Sequence, residues 1–194
     1  GRMVKGSVAW QALAHSPVPL LLRHADDDAE PAAAPERRHI MVPLDGSALA
    51  EYALPLAETL AREWDAPLWL VRVVPLPPGV EVIPAGERVQ RYSRYALVRE
   101  AQMYLDRVKV RMSVEAHADV LVSAPVVDAL IAAARTDAIT DVVMVSHGYT
   151  GLSRLISGSV ADAMLHDLHC PMLVIPARTI TAGSRPSFAP VMRG

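Results

Sequence analysis

An α/β fold, with helices packed on both faces of a buried parallel sheet, is what this sequence predicts, and three observations carry the prediction. Apolar residues make up 52% of the 194 residues while aromatics make up only 5%. That bias toward Ala and Val suits small-residue helices on a buried sheet better than a β-sandwich. From residue 39 onward, short apolar runs alternate with stretches of helical periodicity. Five such strands alternating with four helices imply right-handed crossovers, and so a parallel sheet covered on both sides.

The elements follow in order. HIMVPL at 39–44 is a short apolar strand, and Ser47 is placed to cap a helix in which Ala50, Ala53, Leu54, Ala57, Ala61 and Trp64 share one face. PLWLVRVV at 67–74 is the second strand, followed by a Pro/Gly loop. A long helix is expected from Glu87 to Met112, with Leu97, Ala101, Leu105 and Val108 as its buried stripe. A strand at Val114–Val122, a helix at Val126–Thr136 and the strand DVVMVS come next. A glycine-bearing loop, a helix opening at Ser159 and the strand MLVIPA complete the domain. Residues 178–194 read as a flexible tail.

The first 38 residues are explained by a repeat. GSVAWQALAHSPVPLLLR at 6–23 lies without gaps on GSVADAMLHDLHCPMLVI at 158–175. Gly6, Ser7, Val8, Ala9, Leu13, Pro19 and Leu21 match Gly158, Ser159, Val160, Ala161, Leu165, Pro171 and Leu173. Residues 1–23 are therefore expected to be the last helix and strand of a preceding, truncated copy of the domain at 39–177. Residues 24–38 are acidic and Pro/Ala-rich, a linker that at about 3.3 Å per residue reaches roughly 50 Å. Arg2 and Lys5 ahead of an apolar stretch resemble the start of an export signal, but His15 and two prolines interrupt the run.

A net charge of −2 provides no long-range field to hold nucleic acid or an anionic membrane, and no apolar run is long enough to span a bilayer. The single Cys170 belongs to no disulfide or metal-ligand pattern, which fits a reducing cytoplasm.

Chemistry concentrates in VSHGYTGLSRLISGSVADAML at 145–165, where a buried strand feeds a flexible loop that ends in Gly-Ser at a helix start. Unpaired N–H groups and the helix dipole favour phosphate there, although a strand, a Gly-rich loop and a capped helix also describe ordinary connections. Gly148, nine intervening residues, Gly158 and Ser159, with SHG before and GLSRL within, resemble the nucleotide loop of ATP-binding universal stress proteins. MVPLDGS and CPMLVIP resemble the ends of the same domain.

The resemblance implies an open five-stranded parallel sheet of order 3-2-1-4-5. It implies an ATP site, with Mg²⁺ accompanying the nucleotide, where the order reverses. Pro43 and Asp45 would lie beside the adenosine, with Asp45 an acceptor for ribose or base. Val73 would meet the base through its backbone, and Gly148, Gly158, Ser159 and Val160 would surround the phosphates. Such domains pair through their last strand, so the partners implied are adenine nucleotide and a homodimer or pseudo-dimer. One position departs: Val145 stands where ATP-binding members have Gly, adding bulk beside the phosphate path.

Three functions follow as expectations. The first is a cytoplasmic stress-response regulator binding ATP and hydrolysing it slowly if at all. The second is a dimerisation or partner-interaction module without nucleotide, and the third a hydrolase of the same fold group. His147 has no triad around it, His166 and His169 lack further metal ligands, and the arginines of the long helix read as a solvated face.

Overall fold

The computed structural model describes residues 11–13, 15–23, 35, 37–75, 88–136, 139–146, 159–168 and 170–180. The six strands are β1 (Leu20–Leu22), β2 (Ile40–Pro43), β3 (Leu68–Val74), β4 (Ala116–Val122), β5 (Asp141–Ser146) and β6 (Met172–Pro176). The α-helices are α1 (Leu54–Trp64), which a 3-10 turn at Ala50–Ala53 leads into, α2 (Arg88–Val110), α3 (Val126–Thr136) and α4 (Ser159–Asp167). Residues 11–13 and 15 are also helical.

The strands form one sheet of order β1-β6-β5-β2-β3-β4. The pairs among β2 to β6 are parallel, and β1 pairs antiparallel with β6 through Leu20↔Val174, Leu21↔Leu173 and Leu22↔Met172. Strands β2 to β6 are parallel and stand in the expected order 3-2-1-4-5; β1, added antiparallel at the β6 edge, corrects the expected five-stranded sheet to a six-stranded mixed one. The cause is physical: β6 would otherwise end the sheet with unpaired N–H and C=O groups, and the apolar segment at 20–22 covers them.

Each face of the sheet has its own core, because successive strand side chains alternate between faces. On one face Ile40, Val42, Leu68, Leu70, Val143, Val145 and Ile175 meet Ala53, Leu54, Ala57 and Ala61 of the α1 region and Tyr104, Leu105 and Val108 of α2. On the other, Met41, Val71, Val142, Met144, Met172 and Val174 meet Leu130, Ile131 and Ala134 of α3 and Ala161 and Met164 of α4. Leu13, 3% exposed, packs into this second cluster. All six β5 residues are buried, as a strand covered on both sides requires.

Two expected core residues are not in the core. Leu97 is 46% exposed and Trp64 37% exposed. A helix of 23 residues runs about 34 Å, whereas strands of 7 residues such as β3 and β4 span about 23 Å. The α2 stripe therefore has sheet beneath it only from Ala101 onward. Trp64, in the last turn of α1, lies under the Arg38 guanidinium at 4.2 Å from the ring centroid.

Candidate functional site

The sheet registers bring three sequence positions to one height. β2 runs beside β3 with Pro43↔Val71 and beside β5 with Met41↔Val142. Continued by the same offsets, Asp45 falls level with Val73 on one side and with Ser146 on the other. β2 and β5 are neighbours in the sheet although about a hundred residues separate them in sequence. The helices that follow them lie on opposite faces, α1 with the first cluster and α4 with the second. A crevice opens between such diverging connections at the carboxyl ends of the strands.

Pro43 ends β2, half-buried, and Leu44 extends the ladder by donating its N–H to Val71 O at 2.8 Å. Asp45 and Gly46 are exposed. The Asp45 carboxylate accepts the Ser47 N–H at 2.8 Å, and the Ser47 hydroxyl accepts the Ala50 N–H at 3.1 Å. Both are the local side-chain bonds by which Asp and Ser start helices and turns. Gly46 has φ +91°, a conformation that L side chains rarely adopt.

Val73 and Val160 are both half-buried against the second cluster. That common face is the one from which α4 rises. Ser159 opens α4, and only its backbone is described. Gly148 and Gly158 lie outside the described residues, as do His147 and His169. His166 is exposed and 2.8 Å from Asp167, a surface pair.

Sequence reasoning missed a cluster beside the Asp45 turn. Arg72, on the α1/α2 face of β3, lies with Cζ 5.2 Å from the Tyr104 ring centroid. A Cβ at Gly46 would stand 3.1 Å from its Cζ and from both terminal nitrogens. The Tyr104 hydroxyl is buried and has no partner at hydrogen-bond geometry among the described residues. Burial first, then the nearby Glu51 carboxylate and the charge of Asp45, push its pKa up, with Arg72 opposing. Glu51 is itself engaged by Arg111 at 2.7 Å. The available signal was a charged residue in the otherwise apolar strand PLWLVRVV, two places before its end.

At the opposite end of the sheet, Arg38 grips the buried Asp141 through two 3.0 Å bonds, and Thr140 adds a third at 2.8 Å. Among the described residues no group of three His, Cys, Asp or Glu is placed to hold a metal, and no helix is long and apolar enough to cross a membrane. A concavity along the outer side of α2, lined by Tyr95, Arg99, Met103 and Arg107 among others, contains none of the candidate residues. Its walls come from one helix, so it has no facing element to enclose a ligand.

Comparison with known proteins bears on this geometry. The model of the universal stress protein family matches residues 36–176. Universal stress protein MJ0531 of Methanocaldococcus jannaschii is 33% identical over 141 residues, covering 71% of this chain and 81% of that protein. A universal stress family protein from Burkholderia pseudomallei is 29% identical, covering 71% of this chain and 95% of its own, with a TM-score of 0.51. A universal stress protein from Archaeoglobus fulgidus DSM 4304 is similar in fold, at 18% identity and a TM-score of 0.61, over 91% of this chain and 57% of the other.

Proposed function

The chain belongs to the universal stress protein family, and from that premise we propose that it is a cytoplasmic stress-response regulator that binds ATP, with Mg²⁺, at the β2/β5 end of its sheet. One observation carries the reading: the β2–β3 register, continued past Pro43↔Val71, sets Asp45 level with Val73, and the helices that follow β2 and β5, α1 and α4, lie on opposite faces of the sheet. In this reading Pro43 and Asp45 flank the nucleoside and the Val73 backbone meets the base. Gly148, Gly158, Ser159 and Val160 hold the phosphates, drawing on the N–H groups and dipole of the α4 start.

The test is calorimetric titration with ATP, preceded by assay of adenine nucleotide in an acid extract of the purified protein. Gly158→Val is expected to abolish binding, because a side chain there would meet the phosphate where several N–H groups converge. His166→Ala is expected to leave binding unchanged, since that ring is on the surface. Equal losses from both would reject the assignment. Multiple turnover of a defined substrate would replace it with the hydrolase reading.

A second reading, that the last strand is a pairing surface, is favoured by the β1–β6 register. The repeat equates each residue of β1 with the one 152 positions on: Leu20 with Met172, Leu21 with Leu173, Leu22 with Val174. The observed pairs are Leu20↔Val174, Leu21↔Leu173 and Leu22↔Met172. Leu21 thus faces its own counterpart, and exchanging the two copies reproduces the pairing, the signature of an isologous interface. We read residues 11–23 as standing where a second domain would stand in a pseudo-dimer.

A further inference from the structure

Asp45 and Gly46 are exposed, and the Asp45 carboxylate accepts the Ser47 N–H within their turn. Packing beneath an exposed turn narrows the range of directions from which its carboxylate meets a ligand. Arg72 is so placed. Its guanidinium lies against Gly46, with Cζ and both terminal nitrogens 3.1 Å from where a Cβ would be, and over the ring of Tyr104 at 5.2 Å. Tyr104 in turn is 8% exposed and anchored in the first core cluster. A guanidinium is planar and weakly hydrated, so it stacks and packs as a plate where an ammonium would not. Glu51, the other carboxylate near Tyr104, is engaged by Arg111 at 2.7 Å.

We propose that Arg72 is a positioning residue of the Asp45 site: held over the Tyr104 ring, it lies under the Asp45–Gly46 turn and fixes the direction in which the carboxylate meets a ligand's paired hydroxyls. The proposal rests on the nucleotide reading given above. It makes α2, through Tyr104, part of the support of the site. Gly46 is then required twice, for its positive φ and because a methyl group there would displace the guanidinium.

The test compares ATP with 2′,3′-dideoxy-ATP, which lacks the hydroxyl pair, on the full chain. Wild type is expected to favour ATP by about tenfold, the scale of one charge-assisted hydrogen bond. Arg72→Met should shrink that preference to about twofold while leaving the affinity for the dideoxy nucleotide unchanged. Asp45→Asn should remove the preference, and Arg72→Met should add nothing in that background, because the arginine acts through the carboxylate. Should Arg72→Met fail to fold, Arg72→Lys serves. It retains the charge and stem but not the plate, and should lose the preference too. An equal loss for both nucleotides would reduce Arg72 to a packing residue, and a preserved preference would overturn the proposal outright. If wild type binds both nucleotides without preference, the positioning idea falls and the nucleotide site stands; if it binds neither, the nucleotide reading itself has failed and takes this one with it.

Discussion

Val145 departs from the loop pattern that the sequence otherwise resembles, and its placement decides what the departure does. It is 5% exposed, pairs with Ile175 and packs in the first core cluster with α1 and α2. The α4 start belongs with the opposite face. The valine is thus a core side chain, and Val145→Gly should cost about 3 kcal/mol, from lost burial and from glycine within a strand. Urea denaturation would measure it. ATP affinity should change by less than about threefold in the same variant; a tenfold gain would mean that the valine obstructs the ligand. Cys170 gives a second expectation. Burial, with the Asp141 charge adding, pushes its thiol up to about 11, so at pH 8 it should react with iodoacetamide on the order of a hundred times more slowly than an unfolded thiol near pKa 8.5. The sign for stability follows: the unfolded chain ionises first, so stability falls as pH rises from about 8.5 toward 11. Cys170→Ala should flatten that decline in thermal melts, and an unchanged slope would locate its cause elsewhere. Asp45 was legible in LDGS because its turn chemistry is local. Arg72 was not assigned a role, because its meaning depends on Tyr104, which reaches it only through the packing of α2 on β3.

At the scale of elements, the β2–β5 contact holds the sheet together across its reversal of strand order. At its lower end the Arg38–Asp141 bridge joins the two strands, with side chains 33% and 8% exposed. Removing one partner of a mostly buried pair leaves the other charge without compensation. Arg38→Met should therefore cost about 2 to 3 kcal/mol in chemical denaturation. Arg37→Met provides the contrast. Its 3.7 Å pair with Glu115 is 62% and 61% exposed, and screening should leave a loss below about 0.5 kcal/mol. Equal losses would show that the bridge adds nothing beyond a surface pair. The strands themselves were legible because a parallel sheet covered on both faces needs unbroken apolar runs such as DVVMVS. The buried stripe of α2 was legible only from Ala101 on. Periodicity marks a helical face but not how far the sheet extends beneath it, and Leu97 lies beyond that reach.

For the whole molecule, the outcome turns on one edge. The repeat between 6–23 and 158–175 could be read in the sequence, but whether the first copy would turn back on its own chain could not, since the intervening linker reaches far enough for either course. In the structure β1 lies on β6 of the same chain, and Leu13 seals the adjacent face at 3% exposure. Deleting residues 1–34 would uncover that edge while keeping Arg38 and its bridge to Asp141. The uncovered surface is apolar and its register is self-complementary about Leu173, so the truncated chain should pair with a second copy, β6 against β6, rather than stay monomeric. Sedimentation should show a concentration-dependent dimer for the truncated chain and not for the intact one. Placing a cysteine by Leu173→Cys on a Cys170→Ser background tests the register as well. Each cysteine would face its mate across the two-fold, so oxidation should link truncated chains into dimers while β1 shields the same position in the intact chain. Aggregates without a discrete dimer would mean that β1 merely hides an adhesive edge. A truncated chain that remains monomeric would mean that the symmetry of the β1–β6 register is not matched by any affinity of β6 for itself.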